Sequence, residues 1–357
     1  MHYKMREKKV IVKFIGGLGN QMFQYATGCA LAKKHGVRLL LDISPFQEYK
    51  LHKYSLGHYN IIENFATMSD TAPFLNVKNR NLMKYLPFLT NNKIVTEKIF
   101  EYNPLVNKYG NVYLDGFWQT EKYFQDIAEL IRQEFTVKNS PQGEDLRLIN
   151  EMADCNAVSL HVRRTDYVTN KSALAIHGVC DLDYYREAIE LMVSKIDNPV
   201  FYIFSDDHQW VRENMKLDYK TIFVTHNNAD TNYEDLRLMS SCKHNILANS
   251  SFSWWGAWLN SNPNKIVIGP KRWFTDPNKN VKDLLPANWI AIGEAQPLTS
   301  PFKRLVKNIL IKLNNSSKII GAFIVQLLNL ISPRLAELAG VRYAEFRRVV
   351  NKIFKNW

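Results

Sequence analysis

Short apolar runs alternate with longer stretches of mixed polarity along most of this 357-residue chain. The runs are rich in β-branched and aromatic side chains, which is typical of buried strands, whereas the intervening stretches are long enough for helices. This alternation indicates an α/β protein with parallel sheets. The predicted strands cover 10–15, 157–160, 200–204, 221–225, 246–248 and 265–268, and the predicted helices include 22–34, 121–135 and 233–243.

The segment from His161 to Tyr167 reads H-V-R-R-T-D-Y and directly follows one of the predicted strands. In open α/β sheets, ligands bind beyond the carboxyl ends of the strands. His161, Arg163 and Arg164 would form an anion site there, because guanidinium groups recognise phosphate oxygens through paired hydrogen bonds. A plainer alternative is an exposed basic turn in which Arg164 pairs with Asp166. The seven residues alone leave both interpretations open.

A glycine-rich loop, G-G-L-G-N-Q at 16–21, separates the first predicted strand from the first predicted helix. Backbone N–H groups at such a helix start suit an anion or a sugar. The dinucleotide fingerprint G-x-G-x-x-G fits this loop poorly, because Met22 occupies the third glycine position. Nicotinamide binding is therefore disfavoured, and a tight turn between strand and helix is expected in either case.

Two later loops also place polar side chains at predicted strand ends. Asp206 and Asp207 follow the strand 200–204, where a carboxylate can accept from a base or a ribose hydroxyl, or can cap the next helix. The loop N-S-S-F-S at 249–253 follows the strand 246–248 and opens a helix. Its serine hydroxyls and helix N–H groups predict a second phosphate cradle.

Metal and disulfide chemistry are disfavoured. The triplet Asp181-Leu182-Asp183 is similar to the D-x-D metal motif, but Asp183 stands where a helix N-cap is expected, which is the better explanation. The four cysteines are scattered without a C-x-x-C pair and are interpreted as reduced thiols; they are Cys29, Cys155, Cys180 and Cys242.

The formal charge of +12 is unevenly distributed. Eleven Lys or Arg and two Glu lie in 301–357, so this segment holds most of the excess. The rest of the chain is close to neutral, which argues against nucleic-acid binding. No signal-peptide pattern follows the basic N-terminus, and no apolar run reaches the roughly 18 residues of a membrane span. The cytoplasm is the expected compartment.

The C-terminal segment predicts basic amphipathic helices. Apolar residues recur at helical spacing from Phe302 to Leu313 and again from Phe346 to Trp357, with Lys and Arg largely off those stripes. Such helices bind the interface of an anionic bilayer, which would place the protein peripherally on the inner face of the membrane. A helical hairpin packed on the body or on another subunit fits the pattern equally well.

Four motifs, in their order along the chain, resemble the bacterial branch of the α-1,2-fucosyltransferase family. They are G-G-L-G-N-Q-M-F-Q-Y-A at 16–26, H-V-R-R-T-D-Y at 161–167, F-S-D-D at 204–207 and N-S-S-F-S-W-W-G-A-W-L at 249–259. The resemblance covers roughly residues 8 to 295. The C-terminal segment departs from the family pattern.

The resemblance implies a GT-B fold, in which two Rossmann-like domains face a cleft. The acceptor-side domain would cover 1–150, the donor domain 151–299, and a helical extension 300–357. Independently of the resemblance, the composition S-P-Q-G at 140–143 indicates a linker near the first of these boundaries. The donor would be GDP-β-L-fucose and the acceptor the 2-hydroxyl of a galactose-like residue. Transfer would invert the anomeric centre and would need neither a metal nor a cofactor.

The resemblance also assigns site residues. Arg163 matches the arginine expected on the donor pyrophosphate. No base is carried over from the family; because a base must deprotonate the acceptor, the carboxylates of Asp115 and Asp166 are candidates on chemical grounds. The expected donor-binding residues are Asn20, Gln21, His161, Arg163, Arg164, Asp206, Asn249, Ser250, Ser251 and Ser253. Two alternatives stay open: a GT-B transferase with another nucleotide sugar, and a carbohydrate-binding relative without turnover.

Overall fold

The computed structural model describes residues 7–49, 51–75, 93–97, 100–165, 171–276, 279 and 281–293, without the side chains of 171–173. The chain divides into two units, Met1–Glu294 and Ala295–Trp357, and all described residues belong to the first. The predicted helical extension at 300–357 therefore lies outside the described residues. Among the helices of the described ranges, none has the length and apolar character needed to cross a bilayer.

The first half of the chain forms a four-stranded, fully parallel sheet. Its strands are β1 Lys9–Lys13, β2 Arg38–Asp42, β3 Lys93–Thr96 and β4 Val112–Asp115. They lie in the order β2-β1-β4-β3. The central strand is buried along its V-I-V run, as expected for a parallel sheet covered on both faces. The helices of this half are α1 Leu18–His35, α2 Met68–Leu75 and α3 Ala128–Glu134.

Helix α1 ends where the sequence indicates. Gly36 adopts a left-handed conformation with φ 62°, and its N–H donates to the carbonyls of the last turn. Glycine tolerates this conformation without the steric cost that a Cβ adds. Lys33, Lys34 and His35 lie in the same turn, where cations favour the negative end of the helix dipole.

The second half forms a six-stranded parallel sheet in the order β10-β9-β8-β5-β6-β7. Its strands are β5 Asn156–Val162, β6 Pro199–Ser205, β7 Thr221–Val224, β8 His244–Ile246, β9 Val267–Pro270 and β10 Ile290–Ile292. Its helices are α4 Gly143–Ala153, α5 Lys171–His177, α6 Leu182–Val193, α7 His208–Asn214, α8 Asn232–Ser241 and α9 Ser251–Leu259. The predicted α/β fold class with two Rossmann-like parallel sheets is confirmed.

Helix α9 belongs to the second half but packs against the first. The ring of Phe23 in α1 lies 4.5 Å from that of Trp254 and 4.9 Å from that of Trp255, between centroids. Phe124 stacks on Trp255 at 5.4 Å. The three α9 tryptophans serve packing, because all of them are buried in one hydrophobic cluster shared by both halves.

Two sequence predictions are corrected here. The helix predicted at 121–135 is broken into the 3-10 turns Glu121–Tyr123 and Gln125–Ile127, followed by α3. Phe124 leaves the helical region, at φ −135° and ψ 8°, and its ring is buried against Trp255. Helix α6 is capped by Asp181, which accepts from the N–H of Tyr184 at 2.9 Å; Asp183 lies inside the first turn.

Candidate active site

The candidate site lies at the carboxyl edge of the second sheet. The chain builds β6 and β7 on one side of β5 and then β8 to β10 on the other, so the strand order reverses between β5 and β8. Ligands of doubly wound sheets bind in the crevice at such a switch point. The H-V-R-R motif spans the end of β5, with its two arginines just beyond the strand, and the N-S-S-F-S loop follows β8. The fold therefore brings the two predicted anion sites to adjacent strand ends.

Arg163 is oriented by a carboxylate from the neighbouring strand β6. Its Nε lies 3.3 Å from Asp206 Oδ2, and both side chains are mostly buried. The same carboxylate accepts from the backbone N–H groups of Arg164, at 2.8 Å, and Thr165, at 3.1 Å. Both oxygens of Asp206 are thus engaged by the loop itself. In this structure Asp206 orders the chain around Arg163, a task that its sequence position did not reveal.

Arg164 points to a different place. Its guanidinium carbon lies 3.9 Å from the centroid of the Trp210 ring, and its Nε lies 3.3 Å from Asp207 Oδ2. Asp207 in turn caps α7 by accepting from the N–H of Trp210 at 3.1 Å. The Arg164 guanidinium, stacked on Trp210 and paired with Asp207, anchors the loop. The two adjacent arginines therefore have different partners. Arg164 forms an ion pair with Asp207. Asp166, the partner that the sequence suggested for Arg164, lies outside the described residues.

His161 is a buried, neutral imidazole beside Arg163. Its side chain is 4% exposed, and burial, followed by the nearby Arg163 charge, lowers its pKa to about 3. Within the described part of the chain, its Nδ1 has no hydrogen-bond partner. Buried polar atoms are normally satisfied, so a ring nitrogen in this position at a switch point indicates a ligand or an ordered water.

The loop after β8 presents the N-terminus of α9. Ser250 is the N-cap, and its Oγ accepts from the N–H of Phe252 at 3.3 Å. The Ser253 hydroxyl donates back to the Ser250 carbonyl at 3.3 Å, and that of Ser251 donates to Asn20 at 2.8 Å. Because these hydroxyls make contacts within the protein, the backbone N–H groups of the first turn are the donors suited to a phosphate.

Asn249 organises the backbone around this loop. Its amide nitrogen donates to the carbonyl of His177 at 2.9 Å and to that of Trp273 at 3.2 Å. The residue is buried, and Cys180 Sγ lies 3.6 Å from its amide oxygen. Asn249 therefore ties the end of α5 and the segment after β9 to the crevice.

The glycine-rich loop of the first half reaches the same crevice from the other side. Gln21 is completely buried; its amide donates to the carbonyls of Gly16 and Lys53, each at 2.9 Å, and accepts from the N–H of Ser55 at 2.8 Å. Asn20 Oδ1 accepts from the side chains of Gln119 and Ser251. The structure brings this loop to the predicted place, with the two side chains bonded to the protein.

One of the two candidate bases, Asp115, occupies the carboxyl edge of the first sheet. Asp115 ends β4 and forms an ion pair with Lys13 at 3.1 Å, whereas Asp166 is not described. The sequence reasoning missed Glu97, whose carboxylate accepts from the N–H groups of Phe117 at 2.7 Å and Trp118 at 3.0 Å. Burial raises the pKa of Glu97. No local pattern marks this residue, because its partners come from the segment after β4.

Trp118 is a buried residue in the segment that follows β4. It is 1% exposed and has a left-handed backbone with φ 59°, which is strained for a non-glycine residue. The Glu97 carboxylate holds this turn through two hydrogen bonds. The turn sets the direction of Gln119, the next residue, toward Asn20.

The D-x-D triplet is used for helix formation. Asp181 caps α6, and Asp183 forms an exposed ion pair with Arg186 at 2.9 Å. Over the described ranges, no cluster of three or more His, Cys, Asp or Glu side chains could hold a metal ion. The four cysteines are free thiols; Cys242 is buried and the other three are half-buried.

Comparison with known proteins identifies the family. Residues 1–293 match Glycosyl transferase family 11. The chain is 37% identical over 292 residues to an alpha-1,2-colitosyltransferase of Escherichia coli, covering 79% of this chain and 98% of that protein. It is 34% identical over 298 residues to the O-antigen biosynthesis glycosyltransferase WbnK of Escherichia coli, covering 77% and 97%.

A mammalian relative matches less closely. The galactoside alpha-(1,2)-fucosyltransferase 2 of Hylobates lar is 26% identical over 254 residues, covering 70% of this chain and 68% of that protein. The predicted relationship to the α-1,2-fucosyltransferases is confirmed, and so is the prediction of an enzyme that transfers a sugar. The chain belongs to glycosyl transferase family 11.

Proposed function

We propose that the protein is an inverting α-1,2-fucosyltransferase. It moves L-fucose from GDP-β-L-fucose to the 2-hydroxyl of a galactose-like residue in a surface glycan precursor of the O-antigen or capsule type. The carrying observation is that neutral His161 at the end of β5, Arg163 just beyond it and the N-terminus of α9 after β8 follow neighbouring strands at one switch point. A nucleoside diphosphate suits a fixed cation beside helix amides. The names of the relatives support the sugar and linkage chemistry.

In the proposed reaction, the acceptor oxygen bonds to C1 of fucose while the bond from C1 to the β-phosphate oxygen breaks. The electron pair leaves with GDP, and the acceptor proton passes to a base. Arg163, oriented by Asp206, would stabilise the charge that develops on the diphosphate, together with the N–H groups of α9. The positive charge in this scheme comes from the protein, so it requires no metal ion.

Asp115 and Asp166 remain the candidate bases. Asp115 lies at the carboxyl edge of the acceptor-side sheet, and its ion pair with Lys13 would direct the carboxylate along the strand end. Asp166 is expected to orient an arginine, since carboxylates commonly pair with guanidinium. Asp115→Asn should lower kcat by at least about tenfold and leave GDP binding unchanged. An unchanged kcat would remove Asp115 from the mechanism.

A second candidate donor is GDP-colitose. The relative that supports it is the alpha-1,2-colitosyltransferase, at 37% identity. Colitose lacks one ring hydroxyl that fucose carries, so a site built for the hydroxyl would discriminate strongly against its absence. The relative rate with the two donors therefore reports which sugar the pocket recognises.

A donor-by-acceptor assay tests the proposal. The full chain is incubated with GDP-fucose, GDP-colitose or a UDP-hexose, with and without a terminal β-galactoside, and GDP or UDP release is measured. NMR of the product then assigns linkage and anomeric configuration. The expected result is GDP release that depends on the galactoside and an α-1,2-linked product from GDP-fucose. Preference for a UDP-sugar would overturn the donor assignment, and no transfer with any donor would favour a binding role.

We also propose that the segment 301–357 contacts the membrane surface, where a lipid-linked acceptor would be found. This proposal depends on the basic amphipathic pattern of the sequence. The full chain should sediment with vesicles that contain anionic lipid, and a 1–300 truncation should remain in the supernatant. Equal sedimentation of both proteins would reject the membrane role and favour packing on the body or on another subunit.

A further inference from the structure

One hydrogen-bonded group joins the two sheets at the crevice. Asn20 Oδ1 accepts from Gln119 Nε2 at 2.7 Å and from Ser251 Oγ at 2.8 Å. Asn20 comes from the first turn of α1, Gln119 from the segment after β4, and Ser251 from the first turn of α9. A single amide oxygen thus connects the acceptor-side strand ends with the helix that carries the predicted phosphate site.

The backbone around this group is fitted closely. A Cβ built on Gly19 would lie 2.5 Å from the carbonyl carbon of Ser251, so the first turns of α1 and α9 are in direct contact. Trp255 Nε1 donates to the Gly19 carbonyl at 3.0 Å, one turn further along α9. The hydrogen bonds of Trp255 to Gly19 and of Ser251 to Asn20 therefore fix how the first turns of the two helices align.

We propose that Asn20 is a positioning residue for sugar transfer and does not contact the donor. Its oxygen holds the start of α9 at a set distance and angle from Gln119, and therefore holds the diphosphate of the donor relative to the acceptor. This inference depends on the proposed function for its kinetic consequences. Small displacements of a reacting group cost large factors in rate, so such a residue affects turnover without touching substrate.

The oxygen and the nitrogen of the Asn20 amide allow a positioning role to be distinguished from direct donor binding. Positioning requires only the oxygen, which accepts both hydrogen bonds, whereas the sequence prediction of a direct donor contact would use the nitrogen as a hydrogen-bond donor to phosphate. Asn20→Asp keeps the acceptor atoms, and a carboxylate at this third position of α1 also favours the helix dipole. Asn20→Leu has a similar size and removes both functions.

Kinetics of these variants provide the first test. We expect Asn20→Asp to keep kcat within about threefold of the parent, and Asn20→Leu to lower kcat by at least about tenfold with GDP affinity nearly unchanged. Lys53→Met is the control, because Lys53 also bridges the halves, through an exposed ion pair to Asp230 that contributes little. Equal loss in both Asn20 variants, or normal turnover of Asn20→Leu, would overturn the proposal.

Hydrogen exchange without substrate provides a readout that does not need activity. Amides at the start of α9 should exchange faster in Asn20→Leu and Ser251→Ala than in the parent, and Asn20→Asp should match the parent. The double variant Asn20→Leu with Ser251→Ala should exchange no faster than Asn20→Leu alone, because both substitutions remove the hydrogen bond between Ser251 and Asn20. Unchanged exchange in Asn20→Leu would contradict the proposal. A protein that shows this pattern but no sugar transfer would contradict the proposed function alone.

Discussion

Gly19 of α1 lies directly against the backbone of Ser251 at the start of α9. A Cβ at position 19 would be 2.5 Å from the Ser251 carbonyl carbon and 2.6 Å from the Phe252 nitrogen, both of which are backbone atoms. A side chain there has no flexible neighbour to displace. The contact therefore requires glycine for close approach between two helices from different sheets.

Gly19→Ala should consequently separate the two helix starts. We expect it to lower the free energy of unfolding by about 2–4 kcal/mol, at or above the usual cost of overpacking. Gly17→Ala is the matched control, because its Cβ would meet only the His52 ring at an ordinary 3.5 Å. Urea unfolding of both variants measures the difference. Equal stability of the two would show that the helix contact is not tight in solution.

Arg163→Lys should remove most of the transferase activity. Lysine keeps the charge but loses the planar fork and the Nε contact with Asp206. We expect kcat to fall by about 10²–10³, the range found when one transition-state donor is lost. Arg186→Lys, on an exposed ion pair of α6, is the matched control and should stay near the parent rate. Near-normal turnover of Arg163→Lys would reject its assigned role.

The neutral state of His161 should make the protein sensitive to mild acid. Its pKa is about 3 in the folded protein and near 6.5 in the unfolded chain, so the unfolded state binds the proton first. Stability is then retained above pH 6.5 and lost as the pH falls toward 3. Between pH 7 and pH 5 the loss should be about 2 kcal/mol, and His161→Gln should remove that part of the slope. Parallel stability curves for the two proteins would contradict this assignment.

The Asp235 carboxylate should lower the stability of the folded protein at neutral pH, whereas His161 lowers it at mildly acidic pH. Burial raises its pKa to about 6 from 3.8, partly offset by a hydrogen bond from the Asn227 amide at 2.9 Å. Because the folded state binds the proton more tightly, the carboxylate costs stability as the pH rises through this range. Asp235→Asn should stabilise the protein by about 1–2 kcal/mol at pH 7.5 and by nothing near pH 3.5. Thermal unfolding at the two pH values checks the sign, and a gain at pH 3.5 would contradict it.

Local sequence patterns predicted the main strands well, because buried parallel strands are continuous apolar runs. They did not predict the short edge strands β3 and β10, whose three or four residues give no distinct pattern. They also predicted an unbroken helix at 121–135. There, the burial of Phe124 against Trp255 outweighs the local preference for helix, which is a tertiary effect.

The sequence placed the H-V-R-R and N-S-S-F-S motifs at strand ends, and the structure shows that these strands are neighbours. The donor contacts of the individual side chains stay predictions. Asp206, Asn249 and Gln21 were expected to contact the donor, and this stays a prediction; the structure shows that each also forms hydrogen bonds within the protein. Polar residues near a crevice have the same sequence signal whether they bind a ligand or order the loop that does. Glu97 had no signal, because its partners belong to the segment after β4.

The sequence by itself determined the order of strands and helices, the position of the anion loops at strand ends, and the family. These properties depend on residues close together in the chain, whose periodicity and spacing are visible in one dimension. Only the tertiary structure decided that the strand order reverses between β5 and β8, that Arg163 and Arg164 have different partners, and that Asn20 joins Ser251, 231 positions away. The physical reason is that a polar atom bonds to whichever group the packed sheets bring within about 3 Å, and that choice is made by the packing of the whole chain.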